Sequence, residues 1–254
     1  MKLIFFGTTG AVQTADNTNV SFAVVEKTAA LLVDVSGSPF QSLLSAGVAP
    51  SDLGALVLTH GHPDHLYGLP SLIQCLTLVK RKKPLKIICN RPTAKKAKQL
   101  LDIFDMLSPS GALPIEWVSP ENTASECIPG VRVTTFPVNH PIRTSGVKLS
   151  TATSCLVYTS DTAPSERVIA ESSGATALIH ESSGSDRHRS LLNADGHSTA
   201  LQAGTAAEKA GVATLFLCHF NFELGTAPET LRREAGAAFR GKVIVPEPFK
   251  VYTV

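Results

Sequence analysis

The order of strand-like and helix-like segments predicts an α+β fold in which two β-sheets pack face to face with helices on the outside. Three observations carry this. In each half of the chain short apolar or alternating runs of strand length come first, and strands alternating with helix-length segments follow. The chain is 254 residues long and 43% hydrophobic, which suffices for a sizeable core. No linker or low-complexity tract divides it, because Gly/Ser spots such as Ser182-Ser183-Gly184-Ser185 are no longer than loops. A single domain over residues 1–254 is therefore expected.

In chain order, residues 2–6 form a strand and Gly7-Thr8-Thr9-Gly10 a tight turn. Residues 20–26 and 29–35 are strands broken at Lys27-Thr28, as in a hairpin. Residues 39–46 make a short helix, and the apolar run Ala55-Leu56-Val57-Leu58-Thr59 a buried strand. Residues 70–83 read as a helix ending in Lys80-Arg81-Lys82-Lys83, cations that suit the carboxyl end of a helix dipole; the alternative is a phosphate-binding patch. A strand at 85–89 precedes a helix capped by Thr93 and running to 107. Its wet side carries Lys95, Lys96 and Lys98, its apolar side Leu100, Leu101, Ile103 and Phe104, and Ser108-Pro109-Ser110-Gly111 ends it. Strands at 115–118 and 131–137 flank a polar loop with Pro120, Pro129 and Gly130. Further strands fall at 147–150, 155–160, 175–180, 213–219 and 242–245, and helices near 164–172, 198–210 and 228–239.

Composition narrows the function classes. A net charge of +2, from 23 basic and 21 acidic residues, gives no general drive toward nucleic acid or membrane. The five cysteines (75, 89, 127, 155 and 218) are odd in number and form no CxxC pair, which argues against a disulfide framework and for a reduced, cytoplasmic setting. The apolar run at the start, Met1-Lys2-Leu3-Ile4-Phe5-Phe6-Gly7, is too short for a signal peptide or membrane span.

The chemistry concentrates in His60-Gly61-His62-Pro63-Asp64-His65, directly after the buried strand. Gly lets the backbone bend, and Pro fixes φ and stops the strand. Imidazole and carboxylate are ligands for divalent Zn, Mn or Fe. Four such groups in a six-residue turn cannot all face one ion in good geometry, so the turn reads as the first half of a two-metal site. This pattern arises by chance in roughly 3 chains in 10,000 of this size, so a solvated loop that merely carries histidines is a poor account of it. Later strands also end in ligand-type residues: His140 just past the strand at 131–137, Asp161 after 155–160, and His219 at the end of 213–219.

The HxHxDH turn after a buried strand, with His140, Asp161 and His219 following in order, resembles the metallo-β-lactamase superfamily. Ala177-Leu178-Ile179-His180-Glu181 is similar to the His-Glu-Ala-Thr stretch, and Gly196-His197-Ser198-Thr199 to the His-Ser-Thr stretch, of its ribonuclease Z-like phosphodiesterase branch. The resemblance implies a four-layer αββα sandwich and two divalent ions, Zn or else Mn or Fe. It assigns His60, His62 and His140 to one ion, Asp64, His65 and His219 to the other, and Asp161 to both. A shared water would then be hydroxide near neutral pH. The same resemblance makes His197 the general acid, oriented by Glu181, and lets Asp64 also hold the nucleophile's proton. It leaves Asp34 either contacting the His turn or capping a helix. His188, between Arg187 and Arg189, reads as solvated loop.

The sequence departs from true ribonuclease Z in two places. The basic Pro-x-Lys-x-Arg-Asn stretch is replaced by Gln13-Thr14-Ala15-Asp16-Asn17-Thr18-Asn19, which keeps only the Asn. His140 and Asp161 are only 21 positions apart, too close for the arm that grips tRNA. The expected substrate is therefore a small phosphodiester rather than tRNA. The alternatives are a tRNA 3′-processing endonuclease, a lactonase or carboxylic ester hydrolase, and a metal-binding protein without turnover. No membrane partner is expected, and the branch often forms homodimers.

Overall fold

The computed structural model describes residues 1–107, 113–119 and 124–254. The expected helix stop at Ser108-Pro109-Ser110-Gly111 and the loop position Pro120 lie outside the described residues.

The first half contains β1 (Lys2–Gly7), β2 (Ser21–Glu26), β3 (Ala29–Val33), α1 (Pro39–Ser45), β4 (Leu53–Leu58), α2 (Pro63–Leu66), α3 (Leu69–Leu78), β5 (Leu85–Cys89), α4 (Arg91–Asp102) and β6 (Ile115–Val118). The second contains β7 (Ser125–Ile128), β8 (Val131–Pro137), β9 (Ser145–Ser150), β10 (Cys155–Tyr158), α5 (Glu166–Ser172), β11 (Ala177–Glu181), α6 (Arg189–Ala194), α7 (Ala200–Ala210), β12 (Thr214–Cys218), α8 (Pro228–Ala238), β13 (Lys242–Ile244) and β14 (Val251–Thr253). One seven-stranded sheet runs β14-β1-β2-β3-β4-β5-β6 and the other β13-β12-β11-β10-β9-β8-β7. In each, antiparallel hairpins (β1–β2–β3; β7–β8–β9–β10) give way to parallel strands joined through helices (β3 to β6; β10 to β13).

Side-chain alternation places three apolar layers. Phe5, Phe22, Leu31, Val33 and Val57 of the first sheet face Val133, Val147, Tyr158, Ile179 and Phe216 of the second. The opposite faces, with Leu32, Leu56 and Leu58 on one sheet and Leu178, Leu215 and Leu217 on the other, are covered by α1, α3 and α4 and by α5, α7 and α8 respectively. Period-2 strands buried on both faces need helices outside, and this gives the αββα order expected. The sheets are also stitched together at one rim. Phe220, just past β12, exchanges backbone hydrogen bonds with Thr8 (3.0 Å) and Gly10 (2.9 Å), just past β1. Ser145 N–H donates to Thr59 O at 3.0 Å.

Several elements differ from expectation. Helix α3 stops at Leu78, before the basic run. Lys80 takes the left-handed conformation (φ +57°), and Lys80 and Arg81 N–H groups close back on Thr77 and Leu76 carbonyls, the hydrogen-bond pattern of a Schellman stop. The Arg81 guanidinium donates to the carbonyls of Pro50, Lys83 and Pro84. Helix α4 is capped by Asn90, not Thr93: the Asn90 side-chain Oδ1 accepts from Thr93 N–H at 3.0 Å. It ends at Asp102, so Ile103 and Phe104 leave the apolar side and are exposed. Strands β7 and β14 and the short helix α6 were not expected. His188 closes a one-turn 3-10 helix over Asp186–His188 and is half-buried rather than in a solvated loop. No helix among the described residues is long and apolar enough to cross a membrane.

Candidate metal centre

The site forms where the strand ends of both sheets meet. Strand β4 delivers Thr59 and His60, the chain turns at Gly61-His62, and Pro63 starts α2, so Asp64 and His65 point back along one helical turn. His140 follows β8, Asp161 follows β10 and His219 follows β12. Asp34, Ser160 and His219 hold positive φ (+57°, +54° and +60°). Non-glycine residues rarely adopt this conformation, which concentrates at sites where side chains must be aimed.

The predicted ligand residues converge. Donor atoms of His60, His62, His140 and Asp161 lie within 4.8 Å of one another, as do those of Asp64, His65 and His219. Asp161 Oδ2 is 3.5 Å from His60 Nε2, 3.4 Å from His65 Nε2 and 3.1 Å from His219 Nε2, so the one carboxylate touches both groups. His62 Nδ1 lies 3.1 Å from His60 Nε2 and 3.3 Å from His140 Nε2.

The outer nitrogens are tied down. His60 Nδ1 faces Thr59 Oγ1 (3.0 Å), His65 Nδ1 the Asp34 carboxylate (2.8 Å), His140 Nδ1 the Gly196 carbonyl (3.0 Å) and His219 Nδ1 Ser183 Oγ (3.1 Å). Four rings thus turn Nε2 toward the centre, the tautomer-fixing arrangement that metal-ligating histidines show. Asp34 therefore contacts the His turn: it also accepts from Thr59 N–H at 2.9 Å, and it caps no helix. Gly196 (φ +82°) brings its carbonyl to His140, and a Cβ there would stand 2.3 Å from Pro141 Cδ.

Electrostatics divide the cluster. Burial pushes His60 well down and lowers His62 and His140, with repulsion from neighbouring imidazoles adding to it. Burial thus favours the neutral imidazole in all three, the form that binds a cation. In the second group burial also acts to lower the imidazoles, but Asp161 and Asp34 override it and hold His65 well up, while Asp161 and Asp64 raise His219 to about 10. Asp161 Oδ1 is buried without a hydrogen-bond partner, and the buried His65 Nε2 and His219 Nε2 meet only carboxylate oxygens at 3.1–3.7 Å, with no well-directed hydrogen bond. Buried polar atoms left unpaired are costly, and a divalent cation would satisfy all three. The donor set thus fits divalent metal.

Beside the cluster, His197 Nδ1 lies 2.9 Å from Glu181 Oε1, and the His197 ring sits 5.1 Å from that of His140 and 5.2 Å from that of His219. Burial would raise the Glu181 carboxyl, but the His197 charge and hydrogen bond hold it low; burial would lower His197, but Glu181 holds it up. Glu181 also accepts from Thr162 N–H and from Ser183 N–H and O–H, which fixes its direction. His180 is buried and turned away, its Nδ1 against the Glu181 carbonyl. Thr59, Ser183 and Gly196 were given no role from the sequence; Ser183 stands at the Thr place of the His-Glu-Ala-Thr-like stretch and Gly196 precedes the candidate acid, whereas Thr59 carried no signal.

A mixed-sheet αββα sandwich with a His/Asp cluster where its strand ends meet defines a metal-dependent hydrolase. The chain belongs to the beta-lactamase superfamily, whose domain model matches residues 31–220. It is similar to the ribonuclease Z of Ignicoccus hospitalis (28% identity over 242 residues, 77% of this chain and 79% of that protein). It is also similar to the ribonuclease Z of Halorubrum lacusprofundi (25% identity, 97% of this chain and 95% of that protein). The crystal structure of the metallo-beta-lactamase fold protein YhfI from Bacillus subtilis superposes with a TM-score of 0.82 at 25% identity, over 99% of this chain and 98% of that one.

Proposed function

We propose that this protein is a two-cation phosphodiesterase whose substrate is a small phosphodiester, carried on a single domain that draws its site from both sheets. The observation behind it is the His197–Glu181 pair, 2.9 Å apart at the edge of the ligand cluster. An alkoxide leaving phosphorus needs a proton, whereas opening an activated lactone or ester needs no acid as strong.

His60, His62 and His140 would hold one ion and Asp64, His65 and His219 the other, with Asp161 between them. Bound there, two divalent cations would polarise the diester oxygens and make a water acidic enough to attack at neutral pH. The chain's own residues do the rest. Asp34, Thr59, Gly196 and Ser183 keep the ligand rings oriented. Glu181 fixes His197 Nδ1, leaving Nε2 to protonate the leaving oxygen, and Asp64 would hold the proton of the attacking water as well as a cation. Zn or Mn with bis(p-nitrophenyl) phosphate tests this: metal-dependent release of p-nitrophenol is expected. No such turnover, with ester or lactone substrates cleaved instead, would reject it.

A second reading, a ribonuclease acting on precursor tRNA, draws on the names of the relatives. The stretch between His140 and Asp161 is taken up by β9, β10 and their short turn, which leaves no gripping arm. Cleavage of precursor tRNA in preference to the small diester would favour this second reading.

A further inference from the structure

We propose that the cleft beside the His turn is the subsite for the substituent that stays on the phosphate, and that this substituent is aromatic or otherwise apolar. The cleft, of about 800 Å³, begins at Gly61 and Pro63, which alternate in the chain with the candidate ligands His60, His62 and Asp64. That volume suits a drug-sized group rather than a methyl ester. Its walls are Tyr67, Leu100, Phe104 and Met106. Phe104 is 56% and Tyr67 41% exposed, and large apolar side chains left open in a concavity mark a binding surface. The Tyr67 ring is fixed, because its hydroxyl bonds with Gln13 Nε2, Gly37 N and Asn19 Oδ1.

Charge complementarity points to the phosphate. Lys96 stands where cleft and turn meet, its Nζ donating to Gly61 O at 2.9 Å. An ammonium has three donors, so two remain to meet a phosphate oxygen. Among the described residues, all those lining the cleft lie in the first half of the chain, whereas His197 comes from the second. The leaving group therefore sits on the His197 side, and the retained substituent enters the cleft.

This subsite rests on the phosphodiesterase reading, and the test separates the two. Zn-loaded protein is assayed with methyl p-nitrophenyl phosphate and 2-naphthyl p-nitrophenyl phosphate, which share a leaving group. The naphthyl diester is expected to have a kcat/KM roughly tenfold or more higher, mostly through KM. Ser71→Trp, an exposed wall position, and Phe104→Ala are each expected to bring that ratio toward one, and Lys96→Gln to raise KM for both diesters. A ratio near one in the unmodified protein, or one that survives both wall variants, overturns the subsite. Calorimetric titration with 2-naphthyl phosphate gives the second readout. If neither diester turns over, yet naphthyl phosphate binds and Ser71→Trp weakens it about tenfold, the subsite stands and the phosphodiesterase reading falls. No binding, or binding indifferent to Ser71→Trp, overturns the subsite whatever the turnover.

Discussion

His197 and Glu181 perturb each other in opposite directions, and that fixes what their variants should do. Glu181 holds the imidazole above its ordinary value, which favours the protonated form. The rate should then fall as pH rises through that value. Glu181→Gln removes the charge, lowers the His197 pKa, and should move the fall to lower pH in a pH–rate profile. His197→Ala should cost roughly 10²–10⁴-fold in kcat on a diester with an alkoxide leaving group, and far less on a p-nitrophenyl diester, while metal content, measured by atomic absorption, stays unchanged. Asp34→Asn should keep a hydrogen bond to His65 but lose its charge, and weaken metal affinity about 10–100-fold in a chelator competition. The His turn was legible because its spacing is local. Asp34 was legible only as one of two alternatives, since a carboxylate after a strand caps helices as readily as it braces an imidazole. Ser183 stood out only as a hydroxyl at the Thr place of a motif, since the ring it braces, His219, comes from elsewhere in the chain, and Thr59 gave no sign because its hydroxyl is of ordinary type.

At the scale of elements, long periodic segments were readable and their ends were not. The sequence Gly196-His197-Ser198-Thr199 offers two capping hydroxyls; Thr199 caps α7, in a capping box with Gln202, while Ser198 Oγ donates to Thr162 O. Thr199→Ala should cost about 1 kcal/mol in a urea titration, against near-neutral Thr205→Ala on the exposed face of α7. The Lys80–Lys83 run misled because helix propensity continues past Leu78, while packing against the sheet does not; a left-handed Lys80 stops the helix without a glycine. Ile103 and Phe104 follow the apolar period of α4, but the helix has ended before them. Strand β7, Ser125-Glu126-Cys127-Ile128, has no run of apolar residues to mark it, and β14 follows the proline-broken stretch Pro246-Glu247-Pro248, which reads as loop.

For the molecule as a whole, the sheet-on-sheet arrangement was readable from the order of segments, and the convergence of distant strand ends was not. Because the candidate ligands come from both sheets, chelation should lower Tm and restoring Zn should raise it, with the shift growing with free metal. The Asp161, Asp34 and Asp64 carboxylates favour protonated imidazoles at His65 and His219, so loading should release protons and affinity should fall as pH is lowered, which pH-indicator titration measures. Phe216→Ala in the layer between the sheets should cost about 3–5 kcal/mol. The backbone bonds joining Thr8 and Gly10 to Phe220 have a mechanical corollary. The chemical rim is riveted by backbone bonds, whereas the far rim is joined by a side-chain bond from Ser154 Oγ to Val254 O (3.0 Å), so slow breathing should yawn first at the far rim and leave the spacing of the candidate ligands almost untouched. Deuterium uptake would then be last at the Gly10 and Phe220 amides and first along the outer strands β7 and β13.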